Sequence, residues 1–339
     1  MAAQHASEVV DRHPIHDKPT KLRSPLSKNV TVIIIACFLI AARAAHTILC
    51  QPFKYVRDGK AKIDMSVYIT LVEACSFPIS LMIWIAMSIY SQGYIYVPNG
   101  KYRMSMYALM GFLDAVNSYC GAVGALGLHV AIYTVLKASS IVFSVTFSKM
   151  FTKKHFTAWH YLAIGTMFSA SCLSIFSGST DKKENDGDSL QFVLAAVASF
   201  ASAASLGLLG VTTYKFVRHE NQKSEMLCIA ENNAFQALFM FIFLLPMLGM
   251  PEVSNWPRYC SLTADKYGTN GLIAISIGLF TVRPIMLFSS IAATSFASAA
   301  LTRALGAPRR LIVIGACYFL FKDEKKPDWL KWLSVAAIR

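Results

Sequence analysis

The most constraining feature of this chain is a polar stripe inside an apolar run. Residues Ala131–Phe151, AIYTVLKASSIVFSVTFSKMF, are about as long as a bilayer is thick, yet carry a lysine near the middle. At helical spacing Tyr133, Lys137, Ser140, Ser144 and Ser148 share one face, while Ile132, Val135, Leu136, Ile141, Val142 and Val145 cover the remainder. Such a helix sets one face against lipid and another against protein or a watery cavity. Charge at that depth is costly, so Lys137 is read as a site residue, with a structural ion pair as the alternative.

The same apolar character extends along the whole chain. Its 339 residues are 55% hydrophobic and 15% charged, which excludes a soluble globular protein. Apolar runs fall near residues 30–50, 66–89, 104–125, 128–151, 158–176, 190–214, 229–250, 271–290 and 292–321, with another starting at Trp329. The expectation is an all-α polytopic membrane protein of about ten transmembrane helices joined by short loops. A formal net charge of +13 would suggest nucleic acid in a soluble chain, but many of the cations flank the apolar runs and face lipid headgroups. The eight cysteines stand singly, without CxxC or a His at ligand spacing, and read as buried free thiols. No cleavable leader is visible in the polar N-terminus.

Two stretches suggest an internal repeat. Superposing Phe151-Thr-Lys-Lys-His-Phe-Thr-Ala-Trp159 on Phe321-Lys-Asp-Glu-Lys-Lys-Pro-Asp-Trp329 fixes an offset of about 170 residues that carries each of the first five runs onto one of the second five. Five is odd, so the second unit enters the membrane from the opposite side, which is the inverted repeat of many transporters. The expected division is a cytosolic polar tail over 1–29, a first five-helix repeat over 30–178, an acidic linker loop over 179–189 and a second repeat over 190–339, cut within the tenth helix.

Depth counting then suggests partners for the buried charges. Asp114 and Lys137 lie equally far from the turn near Gly127, and Arg43 and Glu73 equally far from the loop near Arg57. Arg43–Glu73 reads as a structural pair. Asp114 either pairs with Lys137 or leaves it to meet substrate. Arg283, Arg303, Arg309 and Arg310 have only Glu231 as an obvious acidic partner in the second half, leaving a cationic surplus. Arg303 and Arg310 share a helix face beside Pro308, a predicted kink. Guanidinium groups bind phosphate or carboxylate through paired donors, so these residues favour an anionic substrate. Tyr133, Ser140, Asn117, Asn233 and Gln236 are candidates to hold its uncharged part, or serve as interhelical glue. Walker, GxSxG and HExxH motifs are absent, so neither catalytic residues nor metal or cofactor ligands are expected. His46, His129 and His160 read as isolated, packed histidines.

These residues resemble the drug/metabolite transporter superfamily, particularly its nucleotide-sugar transporter branch. Tyr133-Thr-Val-Leu-Lys137-Ala-Ser-Ser140 matches the segment opening the fourth helix, the basic turn before Trp159 matches the start of the fifth, and Glu73 matches a glutamate in the second. Ser76 replaces a lysine common in that branch, and a usual Asn-Asn pair is reduced to Asn117. Leu113-Asp114-Ala115 and Phe235-Gln236-Ala-Leu-Phe239 with Pro246 resemble a second branch, the chloroquine-resistance-transporter-like carriers. The resemblance implies alternating-access exchange of a nucleotide sugar for a nucleoside monophosphate in the Golgi or endoplasmic reticulum. The second branch implies a vacuolar or plastid carrier of amino acids, peptides or thiols. A membrane scaffold or receptor is the alternative of another class. The expected partners are a small anionic substrate and the bilayer, with a homodimer left open.

Overall fold

The computed structural model describes most of residues 25–152, 189–219, 225–248 and 254–296, with isolated positions among 157–169 and 302–316. Apart from a two-residue antiparallel pair, Arg57–Asp58 with Ala61–Lys62, its regular structure is helical. Six described helical stretches are long and apolar enough to span a membrane: Val30–Phe53, Ser66–Gln92, Lys101–Gly127, Leu190–Phe216, Met226–Pro246 and Trp256–Phe296. The protein is a multi-pass membrane protein.

Helix α1 covers Pro25–Cys50, so it begins inside the stretch expected as polar tail, with proline at a position where its missing N–H costs nothing. A 3-10 turn, Gln51–Tyr55, follows. The second apolar run, expected as one helix, is divided into α2 (Ser66–Ala74) and α3 (Phe77–Gln92). Pro78 cannot donate to Ala74 and its ring crowds that carbonyl. Ser76 covers part of the break by donating its hydroxyl to the Glu73 carbonyl at 2.5 Å. Helix α4 covers Lys101–Gly127. The striped run is likewise broken, into α5 (Val130–Ala138) and α6 (Ser140–Thr152). At the joint, the Ser139 hydroxyl donates to the Leu136 carbonyl at 2.6 Å, competing with the helical ladder.

Helices α7 (Ser189–His219) and α8 (Glu225–Leu248) follow, then α9 (Trp256–Phe296). Helix α9 starts well before the expected run at Gly271 and is interrupted at Gly268, where φ is 74° and ψ is 161°. The residues expected as spans five, nine and ten lie largely outside the described set, as do Arg303, Arg309, Arg310 and the acidic linker.

Packing follows small residues. Helix α4 lies antiparallel along α7, with Gly127 against Ala195, Gly124 against Ser199 and Met110 beside Thr213. Helix α1 lies antiparallel along α9, with Leu49 against Gly278 and Arg43 beside Ser290. Helix α3 packs on α8, where Trp84 meets Phe235 edge-on. Tyr107, Phe216 and Phe235 form an aromatic plug between α4, α7 and α8.

Candidate functional site

Each helix at the centre of the described bundle contributes polar groups from one face, at separations of three, four and seven residues. Arg43, His46, Thr47 and Cys50 come from α1, Glu73 from α2, Asp114, Asn117 and Ser118 from α4, Tyr133 and Lys137 from α5, and Arg283 and Ser290 from α9. Together with Leu206, Leu209, Met286 and Leu287 they line a cavity of about 750 Å³, measured with its open mouth. The mixture of apolar wall with a few convergent polar groups suits a small organic ligand.

The charges are cross-linked between the two halves of the chain. Arg283 Nη2 lies 2.6 Å from Asp114 Oδ2, and its Nε lies 3.8 Å from Glu73 Oε2. His46 Nε2 is 2.6 Å from Glu73 Oε1. Gln236 donates from Nε2 to Asp114 Oδ2 at 3.1 Å, and Asn117 from Nδ2 to Oδ1 at 3.4 Å. Asn117 is itself held by the Ser202 hydroxyl, which lies 2.9 Å from both its carbonyl and its side-chain oxygen. Arg43 donates to Ser290 Oγ at 2.9 Å and to the Thr302 carbonyl at 3.4 Å.

This arrangement corrects the pairs expected from depth alone. The described partners of Glu73 are His46 and Arg283, whereas Arg43 reaches Ser290 and Thr302; Asp114 is engaged by Arg283. Depth counting compares only helices adjacent in sequence, and the cation that serves both carboxylates arrives on α9. Among the described residues Glu231, expected as the acid for the second-half arginines, accepts from Tyr107 Oη at 2.6 Å and lies 3.9 Å from Arg103 Nη1.

The remaining expected residues divide. Tyr133 and Lys137 line the cavity, with Lys137 Nζ 5.6 Å from the Tyr133 ring centroid. A Cβ on Gly121 would stand 2.7 Å from that Nζ, so the bare glycine provides the lysine's space. Ser140, Ser144 and Ser148 are buried outside the cavity wall, and Gly207 of α7 packs at Phe143–Ser144. Gln236 also lines a smaller adjoining cavity of about 210 Å³, which shares Leu209, Leu287 and Ser290 with the larger one. Asn233 is fully buried, and among the described residues neither its amide nor that of Asn232 has a hydrogen-bond partner.

Sequence reasoning missed His46, Cys50 and Ser290. The signal for the first two was present: His46 and Cys50 are four residues apart and therefore share a helix face with Arg43. Among the described cysteines, Cys37 and Cys75 are exposed from the bundle rather than buried.

Comparison with known proteins narrows the chemistry. A family model described as purine nucleobase transmembrane transport matches residues 30–254. The chain is similar to "Probable purine permease 8" of Arabidopsis thaliana, 25% identical over 288 residues, covering 78% of this chain and 70% of that protein. It is also similar to "Probable purine permease 22" of the same plant, 23% identical over 207 residues, covering 57% of this chain and 52% of that one. A solved crystal structure aligns at 14% identity over 91% of this chain and 93% of its own, with a TM-score of 0.46. The family match extends over well more than half of the chain and includes α1 to α8, the elements that carry most of the cavity wall. The chain belongs to the purine nucleobase transmembrane transport family, a family of membrane transporters.

Proposed function

We propose that this protein carries a purine or a close heterocyclic relative across a membrane through the central cavity, and that the site reads an uncharged ring rather than a phosphate. The observation that carries this reading is the engagement of Arg283. Of the four arginines on which the anionic reading rested, it is the described one, and its guanidinium is held by Asp114 and approached by Glu73. A phosphate site needs a guanidinium with donors to spare. A purine instead needs donors and acceptors at its edge, which Asp114 and Asn117 supply on the cavity wall with Gln236 bracing Asp114 from behind, and a face contact, which Tyr133 supplies. In this reading Lys137 polarises a ring nitrogen or carbonyl group rather than neutralising an anion, and Arg283 holds Asp114 in place.

The ten-helix inverted repeat is part of the same proposal. The antiparallel packing of α1 with α9 and of α4 with α7 supports it. If α7 and α9 are the counterparts of α1 and α4, these are the two symmetry-related contacts of an inverted pair. Alternating access then consists of one repeat rocking against the other around Arg283 and its carboxylates.

Uptake of radiolabelled adenine into proteoliposomes containing the full chain tests the function. Saturable uptake competed by unlabelled purines but not by nucleotide sugars is the expected result. Exchange of nucleotide sugars without purine uptake would return the reading to the nucleotide-sugar branch. The endomembrane location implied by that branch is a separate matter, decided by where a tagged full-length chain resides.

A further inference from the structure

We propose that His46, Cys50 and Glu73 form a three-ligand site for a borderline or soft divalent cation such as Zn²⁺, and that its occupation tethers α1 to α2 and arrests transport. The three ligand atoms lie within 4.8 Å of one another. Zinc bound through thiolate, imidazole and carboxylate, at about 2.3, 2.0 and 2.0 Å, would need the sulfur to approach by roughly 1 Å and the His46–Glu73 contact of 2.6 Å to open by somewhat less than that as its hydrogen bond gives way to the metal.

A second feature supports the site. Glu73 is 3% exposed, and among the described residues its Oε2 has no hydrogen-bond partner of ordinary geometry. The cation beside it, Arg283, stands 3.8 Å away and is already satisfied by Asp114 at 2.6 Å. Glu73 can therefore turn toward a metal while Arg283 keeps a carboxylate. One buried oxygen gains a partner, and the imidazole exchanges a hydrogen bond for a coordinate bond. As the metal–sulfur bond forms, the Cys50 thiol proton leaves to water, so thiolate and carboxylate together balance the dication. The fourth coordination position faces the cavity, where water or a ring nitrogen of the transported heterocycle completes the shell. Arg43, Lys137 and Arg283 share that wall and weaken the site relative to a four-ligand structural zinc site, which suits a reversible inhibitor.

The inhibition half of this inference rests on the transport reading, whereas the binding half does not. Co²⁺ is titrated into the purified, detergent-solubilised full chain, and the thiolate-to-cobalt absorption in the near ultraviolet is recorded. In parallel, adenine uptake into proteoliposomes is measured across a Zn²⁺ series, each variant being normalised to its own rate without metal. The expected result is a saturable cobalt band with about one ion per chain, displaced by Zn²⁺ and lost in Cys50→Ser. Zn²⁺ potency should fall at least about tenfold in Cys50→Ser and in His46→Gln, the second variant guarding against misfolding of the first. An undiminished band in monodisperse Cys50→Ser, or no band in the folded parent, overturns the site. Purine uptake insensitive to Zn²⁺ overturns the inhibition while leaving the transport reading intact. Cobalt binding without purine uptake overturns the transport reading alone.

Discussion

The ion cluster at Arg283 gives the sharpest test of how the two halves of the chain are held together. The perturbation is Arg283→Gln, which keeps side-chain length and polarity but removes the charge. Arg283 is 4% exposed, and its contact with Asp114 is 2.6 Å. With charge centres about 4 Å apart in surroundings of effective dielectric about 20, the attraction is roughly 4 kcal/mol. Removing one partner of a buried pair costs roughly 3–5 kcal/mol, because the other charge is stranded. Glu73 keeps His46, and Asp114 keeps the amides of Gln236 and Asn117, so the lower end of that range applies. The loss should be about 3 kcal/mol, a change on the order of 100-fold in the ratio of folded to unfolded protein at a fixed temperature. The assay is the fraction of detergent-solubilised protein remaining monodisperse after heating, for the parent, Arg283→Gln, Asp114→Asn and the double variant. Neutralising both partners leaves no stranded charge on α4, so the double variant should recover about 2 kcal/mol relative to the sum of the singles. A double variant whose loss equals that sum within about 0.5 kcal/mol would refute direct coupling of α4 to α9 through this pair.

Four further outcomes follow from the same structure. Tyr107→Phe deprives buried Glu231 of its 2.6 Å donor and should cost about 1–3 kcal/mol in the same heating assay, with Glu231→Gln in that background restoring part of it. Gly111→Ala would bring a Cβ against Phe239 and within 2.8 Å of the Met240 backbone nitrogen, so it should separate α4 from α8 at a cost of about 1–3 kcal/mol. Gly268→Ala meets nothing within 4 Å but must hold a backbone conformation that L-residues avoid, so its loss of about 1–3 kcal/mol should be purely conformational and insensitive to side-chain size. On transport, Lys137→Met should raise the KM for adenine about tenfold at normal expression, because the ammonium meets the ring; an unchanged KM would remove Lys137 from the site.

The membrane class was legible in the chain because an apolar run of about 20 residues has no stable alternative to a helix in lipid. The positions of α1, α4, α7 and α8 follow from those runs within a few residues. The breaks at Ser76 and Ser139 carried local signals, Pro78 and a paired serine, but a run-length reading passes over them because they do not interrupt apolarity. Helix α9 begins in a mixed-polarity stretch before the break at Gly268, and that first part is placed by tertiary contacts such as Tyr267 Oη donating to the Pro52 carbonyl at 2.7 Å, which run length does not register.

The site divides along the same line. By itself the sequence determined which polar residues interrupt the apolar runs: Arg43, Glu73, Asp114, Asn117, Tyr133, Lys137 and Arg283 stand out because a polar group in an apolar run must find a partner, and the structure places all seven on one cavity wall. Only the tertiary structure decided who those partners are. A single helix specifies depth and face but not the neighbour across the interface, so equal depth suggested Arg43 for Glu73 when the packing delivers His46 and Arg283. The same packing turned Ser140 and Asn233 away from the cavity wall and brought Cys50 beside Glu73. Ion pairing and ligand recognition depend on separations of a few ångströms between helices distant in sequence, and that distance is set by glycine seams and aromatic plugs rather than by any one helix.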